Sequence, residues 1–192
     1  MGTALVTRNE YKTYIGINGT EQDSSIDSLI SKISELVKSY CRRTFVDYVN
    51  EIKTEYFNGD IQRIYLQEYP VIQVLSVENS VDYGQNYTDL VEYTDYALDK
   101  ETDSIVTLSS TLKFPYYING YKVNYYGGYE VVPEDLKLAI FDLITYYLKN
   151  DAVIKNLRVP TTQVMQLEYG PNATNFPSHI ARVLNLYKSS WD

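Results

Sequence analysis

The chain has 192 residues, 44% hydrophobic and 22% charged, which suits one globular domain and excludes a disordered polymer that buries too little to offset its ordering entropy. Its net charge of -8 excludes a protein built mainly to grip nucleic acid, because that affinity comes from clustered Lys and Arg neutralising phosphates. No apolar run reaches the roughly 18 residues that span a bilayer, and the start Met1-Gly2-Thr3-Ala4-Leu5-Val6 lacks a basic region and a long apolar stretch, so neither membrane anchor nor signal peptide is expected.

In chain order, Thr7-Arg8-Asn9-Glu10 is a capping-box pattern, and Gly16 offers the stop, which predicts a short helix over 7–15. Ser24 followed by Asp27 starts a second helix over 24–43, in which Ile26, Leu29, Ile30, Ile33, Val37, Tyr40 and Cys41 share one face. Cys41 is the only cysteine and reads as a buried, inert thiol. Arg42 and Arg43 fall in the last turn, either as cations that complement the helix dipole or as a basic contact to a partner.

From about residue 45 to 126 the texture is β-branched and aromatic, broken by Asn58-Gly59-Asp60 and Tyr83-Gly84-Gln85-Asn86, and predicts an antiparallel β-insertion. Its expected strands are Val46 to Phe57, Ile61 to Leu66, Val71 to Val77, Tyr93 to Leu98, Ile105 to Leu108 and Lys122 to Tyr126. Val132-Pro133-Glu134-Asp135-Leu136 then opens a helix over 133–150, with proline in the first turn and acids near the positive dipole end. Leu136, Ala139, Ile140, Leu143, Ile144, Tyr147 and Leu148 form its stripe; Leu138, Phe141 and Tyr146 lie off it. That surplus fits either a helix buried on two sides or a helix shared with a neighbouring subunit. Asn156 to Asp192 carries Pro160, Gly170-Pro171 and Pro177, an extended stretch Val164 to Tyr169 and a helical pattern at Ile180, Val183, Leu184 and Tyr187, the texture of an arm that orders on a partner. The reading is thus an α+β chain: a small helical bundle with an antiparallel β-insertion in a connector domain over 1–155, then a C-terminal arm over 156–192.

Residues with the right chemistry for catalysis do not fall into a catalytic pattern. The only histidine, His179, sits in the arm and reads as a surface residue. Asp99, Glu101 and Asp103 alternate like calcium ligands, but Ser104 stands where the loop needs glycine, so a charged hairpin tip is expected. Gly127-Gly128 lacks the Lys-Ser/Thr continuation of a phosphate loop and reads as backbone turns. Glu134 and Asp135 are explained by their place in a first helical turn. No cofactor and no enzymatic activity are expected. The 21 tyrosines against 5 phenylalanines favour half-wet interfaces over a dry core, since a buried Tyr hydroxyl still needs a partner.

Three segments in order carry a resemblance: Ser39-Tyr40-Cys41-Arg42-Arg43-Thr44-Phe45, then Tyr69-Pro70-Val71 with Val74 and Val77, then Tyr125-Tyr126-Gly127-Gly128-Tyr129 to Val132-Pro133-Glu134-Asp135-Leu136-Lys137. Together they resemble the head-tail connector (adaptor) proteins of tailed bacteriophages. The resemblance implies a structural virion protein of the neck, assembled in the host cytoplasm as a ring, commonly of twelve copies. Its implied partners are itself, the portal protein, a stopper or tail-completion protein, and DNA passing through the lumen without sequence-specific binding. Leu138, Phe141, Tyr146, Arg42 and Arg43 are the candidate contacts between copies. Leu167, Tyr169, Phe176, Ile180, Leu184 and Tyr187 are the candidate portal contacts. The alternative is a carbohydrate- or receptor-binding module of a virion, its tyrosines stacking on sugar rings.

Overall fold

The capping box forms as its spacing predicts. The Thr7 hydroxyl accepts from the Glu10 amide at 3.3 Å and the Glu10 carboxylate accepts from the Thr7 amide at 2.7 Å, opening α1 (Arg8–Ile15), which Gly16 closes in the left-handed conformation at φ 70°. α2 (Asp23–Cys41) follows. It ends two residues before the expected Arg43, because Arg42 takes the left-handed conformation at φ 56° and turns the chain. α3 (Glu134–Asn156) runs past the expected residue 150, and α4 (Ser178–Leu186) falls where the arm's helical pattern predicts it.

The computed structural model describes residues 2–109, 113–156 and 176–189, with 149–156 described by backbone alone. The chain divides into two units, Met1–Arg43 with Val132–Asp192, and Thr44–Val131. In the helical unit most of the predicted stripes become the core: Ile26, Ile30, Ile33, Val37 and Cys41 of α2, Leu136, Ala139, Ile140, Leu143 and Ile144 of α3, and Ile180 and Leu184 of α4 are buried, joined by Ala181, while Leu29, Tyr40, Tyr147, Leu148, Val183 and Tyr187 are half-buried. Burial of such side chains contributes about 1.5 to 3 kcal/mol each, which is why the helices need no metal or disulfide.

The β unit holds two antiparallel sheets. The first is ordered β1-β7-β3-β4, with β1 (Lys53–Phe57), β7 (Tyr121–Gly127), β3 (Val71–Asn79) and β4 (Thr88–Asp89); the second is ordered β2-β6-β5, with β2 (Arg63–Tyr65), β6 (Ser104–Thr107) and β5 (Tyr96–Asp99). Their shared core is Ile64, Leu66, Val77, Tyr96, Ile105, Phe114, Tyr121, Val123 and Tyr125. The α+β class read from the sequence is the observed one.

Three expected strands are shorter than read, Ile61 to Leu66 trimming to Arg63–Tyr65, and one strand was not expected. The strand from Val46 shrinks to Lys53–Phe57, because Phe45 sits at φ 71° and its carbonyl accepts from the Tyr129 amide at 2.7 Å, so the preceding segment is bonded outside any ladder. The strand expected from Tyr93 begins at Tyr96, since Tyr93 is left-handed at φ 62° and the Asp95 carboxylate accepts from the Val91 amide at 2.8 Å, closing a turn. β4, two residues paired with Glu78 and Asn79, is too short to leave a period-two signal.

Candidate assembly surfaces

In the helical unit, α3 decides which apolar side chains remain available. Phe141 is buried, its ring stacked on Tyr14 at 5.1 Å and tilted against Tyr11 at 6.0 Å. Both tyrosines belong to α1, and their hydroxyls bond Thr145 and Asp142 of α3 at 3.1 and 2.9 Å. Tyr146 is half-buried, edge-on to Tyr147 at 5.6 Å. Leu138 remains 48% exposed. Arg42 is exposed at the end of α2, whereas Arg43 is buried and its guanidinium donates to the Tyr187 carbonyl at 3.5 Å.

The arm residues divide similarly. Leu167, Tyr169 and the stretch Val164 to Tyr169 lie outside the described residues. Phe176 is buried edge-on to Tyr40 at 4.9 Å, and Ile180 and Leu184 are buried in α4. Tyr187 donates its hydroxyl to the Asp135 carboxylate at 2.5 Å, Tyr40 donates to Asn185 at 2.7 Å, and the Ser189 amide bonds the Cys41 carbonyl at 2.9 Å. α4 is thus fastened to α2 and α3 at both ends, leaving Leu186 outward at 72% exposure. Cys41 is the buried thiol expected, its Sγ donating to the Leu184 carbonyl at 3.5 Å; burial pushes its pKa up to about 12. His179 is a surface side chain, 4.0 Å from the Asp142 carboxylate.

In the β unit, one end is organised by the buried Glu68 and the half-buried Glu55. Glu68 accepts from the Thr44 amide at 2.7 Å, the Thr44 hydroxyl at 3.0 Å and the Phe45 amide at 3.1 Å, fixing the turn that opens the unit. The Glu68 amide donates to the Tyr125 hydroxyl at 3.0 Å, which in turn donates to Glu55 at 2.8 Å. Burial pushes both Glu55 and Tyr125 above their usual ranges, which keeps the phenol a donor. The Gly127-Gly128 pair is required by close approach: a Cβ on Gly127 would stand 2.3 Å from the Glu68 carbonyl oxygen, and one on Gly128, at φ 111°, 2.3 Å from that of Phe45. These glycines serve backbone packing, as their sequence setting suggests.

The outer face of the first sheet is a polar row. Thr54 donates to Asn124 at 2.6 Å, Asn124 to Ser76 at 2.8 Å, and Lys122 pairs with Glu78 at 3.0 Å. Asp99, Glu101 and Asp103 occupy the expected β5-β6 hairpin tip. There Asp99 pairs with Arg63, which holds its carboxyl down at about 2, and Asp103 accepts from the Val71 amide at 2.8 Å. Among the described residues, no group of three or more His, Cys, Asp or Glu side chains could hold a metal ion.

The far end of the unit, which the sequence reading passed over, exposes Val81, Tyr83, Val91, Tyr93, Leu108, Tyr116 and Ile118. The available signal was Val and Tyr set among acids at the Tyr83-Gly84 turn, where no periodicity assigns an inward face.

The chain is a helical unit with an inserted antiparallel β unit and outward apolar side chains, an architecture suited to assembly with other chains. The family model described as head completion protein matches residues 4–190. The chain belongs to the head completion protein family, and its role is that of a structural virion protein, a head-tail connector. Two solved structures share the fold. One, from the neck of an empty gene transfer agent (GTA) particle computed with C6 symmetry, is 14% identical, with a TM-score of 0.55 over 98% of this chain and 91% of that one. The other, from the virion of a native GTA particle, is 12% identical, with a TM-score of 0.56 over 98% and 91%. No curated protein matches the sequence.

Proposed function

We propose that copies of this chain close into a ring in the virion neck, between the portal protein and a stopper or tail-completion protein, with DNA passing through the lumen. The observation that carries this reading is the family match over nearly the whole chain. The fold relative from a neck with C6 symmetry supports a closed ring, for which twelve copies is the expected number. Leu138, exposed on α3 beside the Phe141-Tyr14 stack, and Arg42 at the end of α2 are the proposed contacts between copies, with Tyr146 and the buried Phe141 and Arg43 shaping that face. The net charge of -8 lets DNA slide past without adhesion. The division into a connector domain over 1–155 and an arm over 156–192 is a functional one. In it, α4 anchors the arm through Phe176, Ile180, Leu184 and Tyr187, while Leu167 and Tyr169 meet the portal. The role involves no catalysis and no cofactor, and assembly takes place in the host cytoplasm.

Light scattering of the purified chain with and without portal tests the ring. The expected result is a defined oligomer on portal, weakened by Leu138→Asp. A chain that stays monomeric in both conditions at high concentration overturns the proposal.

A further inference from the structure

The β unit carries the acidity of the whole protein. Thr44–Val131 holds five Lys and Arg against fourteen Asp and Glu, a net charge of -9, so the rest of the chain is close to neutral. Arg63, Lys113 and Lys122 are each paired with a carboxylate of the same unit. From Ser80 to Asp95 the chain has four acids, Asp82, Asp89, Glu92 and Asp95, and no Lys or Arg.

The same segment presents apolar side chains outward. Val81, Leu90, Thr94, Asp95, Thr107 and Pro115 converge on a cleft of about 340 Å³ floored by Phe114 and Tyr121. Tyr83 and Tyr93, on the loops that reach it, are 69% and 79% exposed, and both sit in the left-handed region at φ 63° and 62°. A side chain with a Cβ adopts that conformation at a cost of about 1 kcal/mol or more, and a ring left in water returns little of it by burial.

The turns that impose this conformation are firmly built. Asp82 accepts from the Gln85 and Asn86 amides at 3.1 and 2.9 Å and from the Ser80 hydroxyl at 2.6 Å. The Tyr93 amide donates to the Tyr96 carbonyl at 2.7 Å. The two rings are therefore pre-positioned anchors, which lowers the ordering cost of binding.

We propose that this end of the β unit docks a cationic, apolar protein segment of a partner. Lys or Arg of that segment meets Asp89 and Glu92, an aliphatic or aromatic side chain enters the cleft, and Tyr83 and Tyr93 on the adjoining loops pack against the segment. The charge selects the occupant: a segment with four acids and no Lys or Arg of its own favours a basic peptide, whereas a neutral sugar gains nothing from that excess. The contact is separate from the ring and stands or falls without it.

The test is a display library of random linear peptides panned on the full chain, followed by titration of the enriched peptides into ¹⁵N-labelled protein. Expected are sequences that pair Lys or Arg with aliphatic or aromatic residues, that shift the amides of residues 80–95 and 107–109, and that bind more weakly as salt rises. The double variant Tyr83→Asn, Tyr93→Asn should bind about tenfold or more weakly. Its thermal midpoint should hold or rise, because Asn tolerates the left-handed conformation. Asp89→Lys with Glu92→Lys should lose the same peptides by charge alone. Enrichment without cations, shifts elsewhere, full binding by both variants, or selective binding to a glycan array with no basic peptide would each overturn the proposal.

Discussion

The helical unit coheres through apolar side chains repeated every third or fourth residue, from Ile26 to Cys41 and from Leu136 to Ile144, so most of its order is local in sequence. The β unit coheres at its base through polar atoms brought together from far apart: Glu68 closes on Thr44, and Tyr125 reaches Glu55 across 70 positions. The two differ in charge as well, one near neutral and the other strongly acidic. The difference teaches where each tolerates change: the helical unit is vulnerable to lost volume, the β unit to lost hydrogen-bond partners.

The largest expected effect tests the first half of that contrast. Leu184→Ala empties a fully buried site between α4 and its neighbours and should cost about 3 to 4 kcal/mol in urea unfolding. Hydrogen exchange should quicken in α2, α3 and α4 more than in β3 and β7; equal loss of protection in both units would break the comparison. Next, Glu68→Ala leaves the Thr44 and Phe45 amides without their acceptor and should cost about 2 to 3 kcal/mol by the same measurement. Glu68→Gln, which keeps one acceptor oxygen, should cost clearly less.

A smaller effect is local to α1. Thr7→Ala removes the cap hydroxyl and should cost about 1 kcal/mol, seen as faster exchange at Glu10. The smallest is a titration. Asp82 is held down at about 2, first by the Ser80 hydroxyl and then by the Asn86 amide and side chain. A depressed carboxyl contributes stability that is present above its ordinary value of 3.8 and lost as pH falls toward 2. NMR of the Gln85 and Asn86 amides should show a midpoint near 2; a midpoint near 3.8 would mean that the turn at Ser80 is not preorganised.

The helices were legible because a helix start and its buried stripe are written within a few residues. Thr7-Arg8-Asn9-Glu10 declares its own cap, and Val132-Pro133-Glu134 its own first turn. The strands were legible as a region but not at their ends. Phe45, Tyr83 and Tyr93 carry aromatic side chains that favour strands, yet all three sit at positive φ, in turns where the distant Glu68 accepts the Thr44 and Phe45 amides and the nearby Asp82 and Asp95 accept those of Gln85, Asn86 and Val91. Of the proposed contact residues, Leu138 could be singled out as lying off a helical stripe, whereas the burial of Phe141 and Arg43 depended on α1 and on the Tyr187 carbonyl, which arrive from distant sequence.

By itself the sequence determined the α+β class, the four helices of the described residues and the acidic, tyrosine-rich composition, since periodicity, caps and charge are properties of neighbouring residues. Only the tertiary structure decided that Glu68 is a buried acceptor and that Tyr83 and Tyr93 face outward on loops that adjoin a cleft. Strand order and register set those outcomes, and each is fixed by pairings between residues too far apart for local propensity to encode.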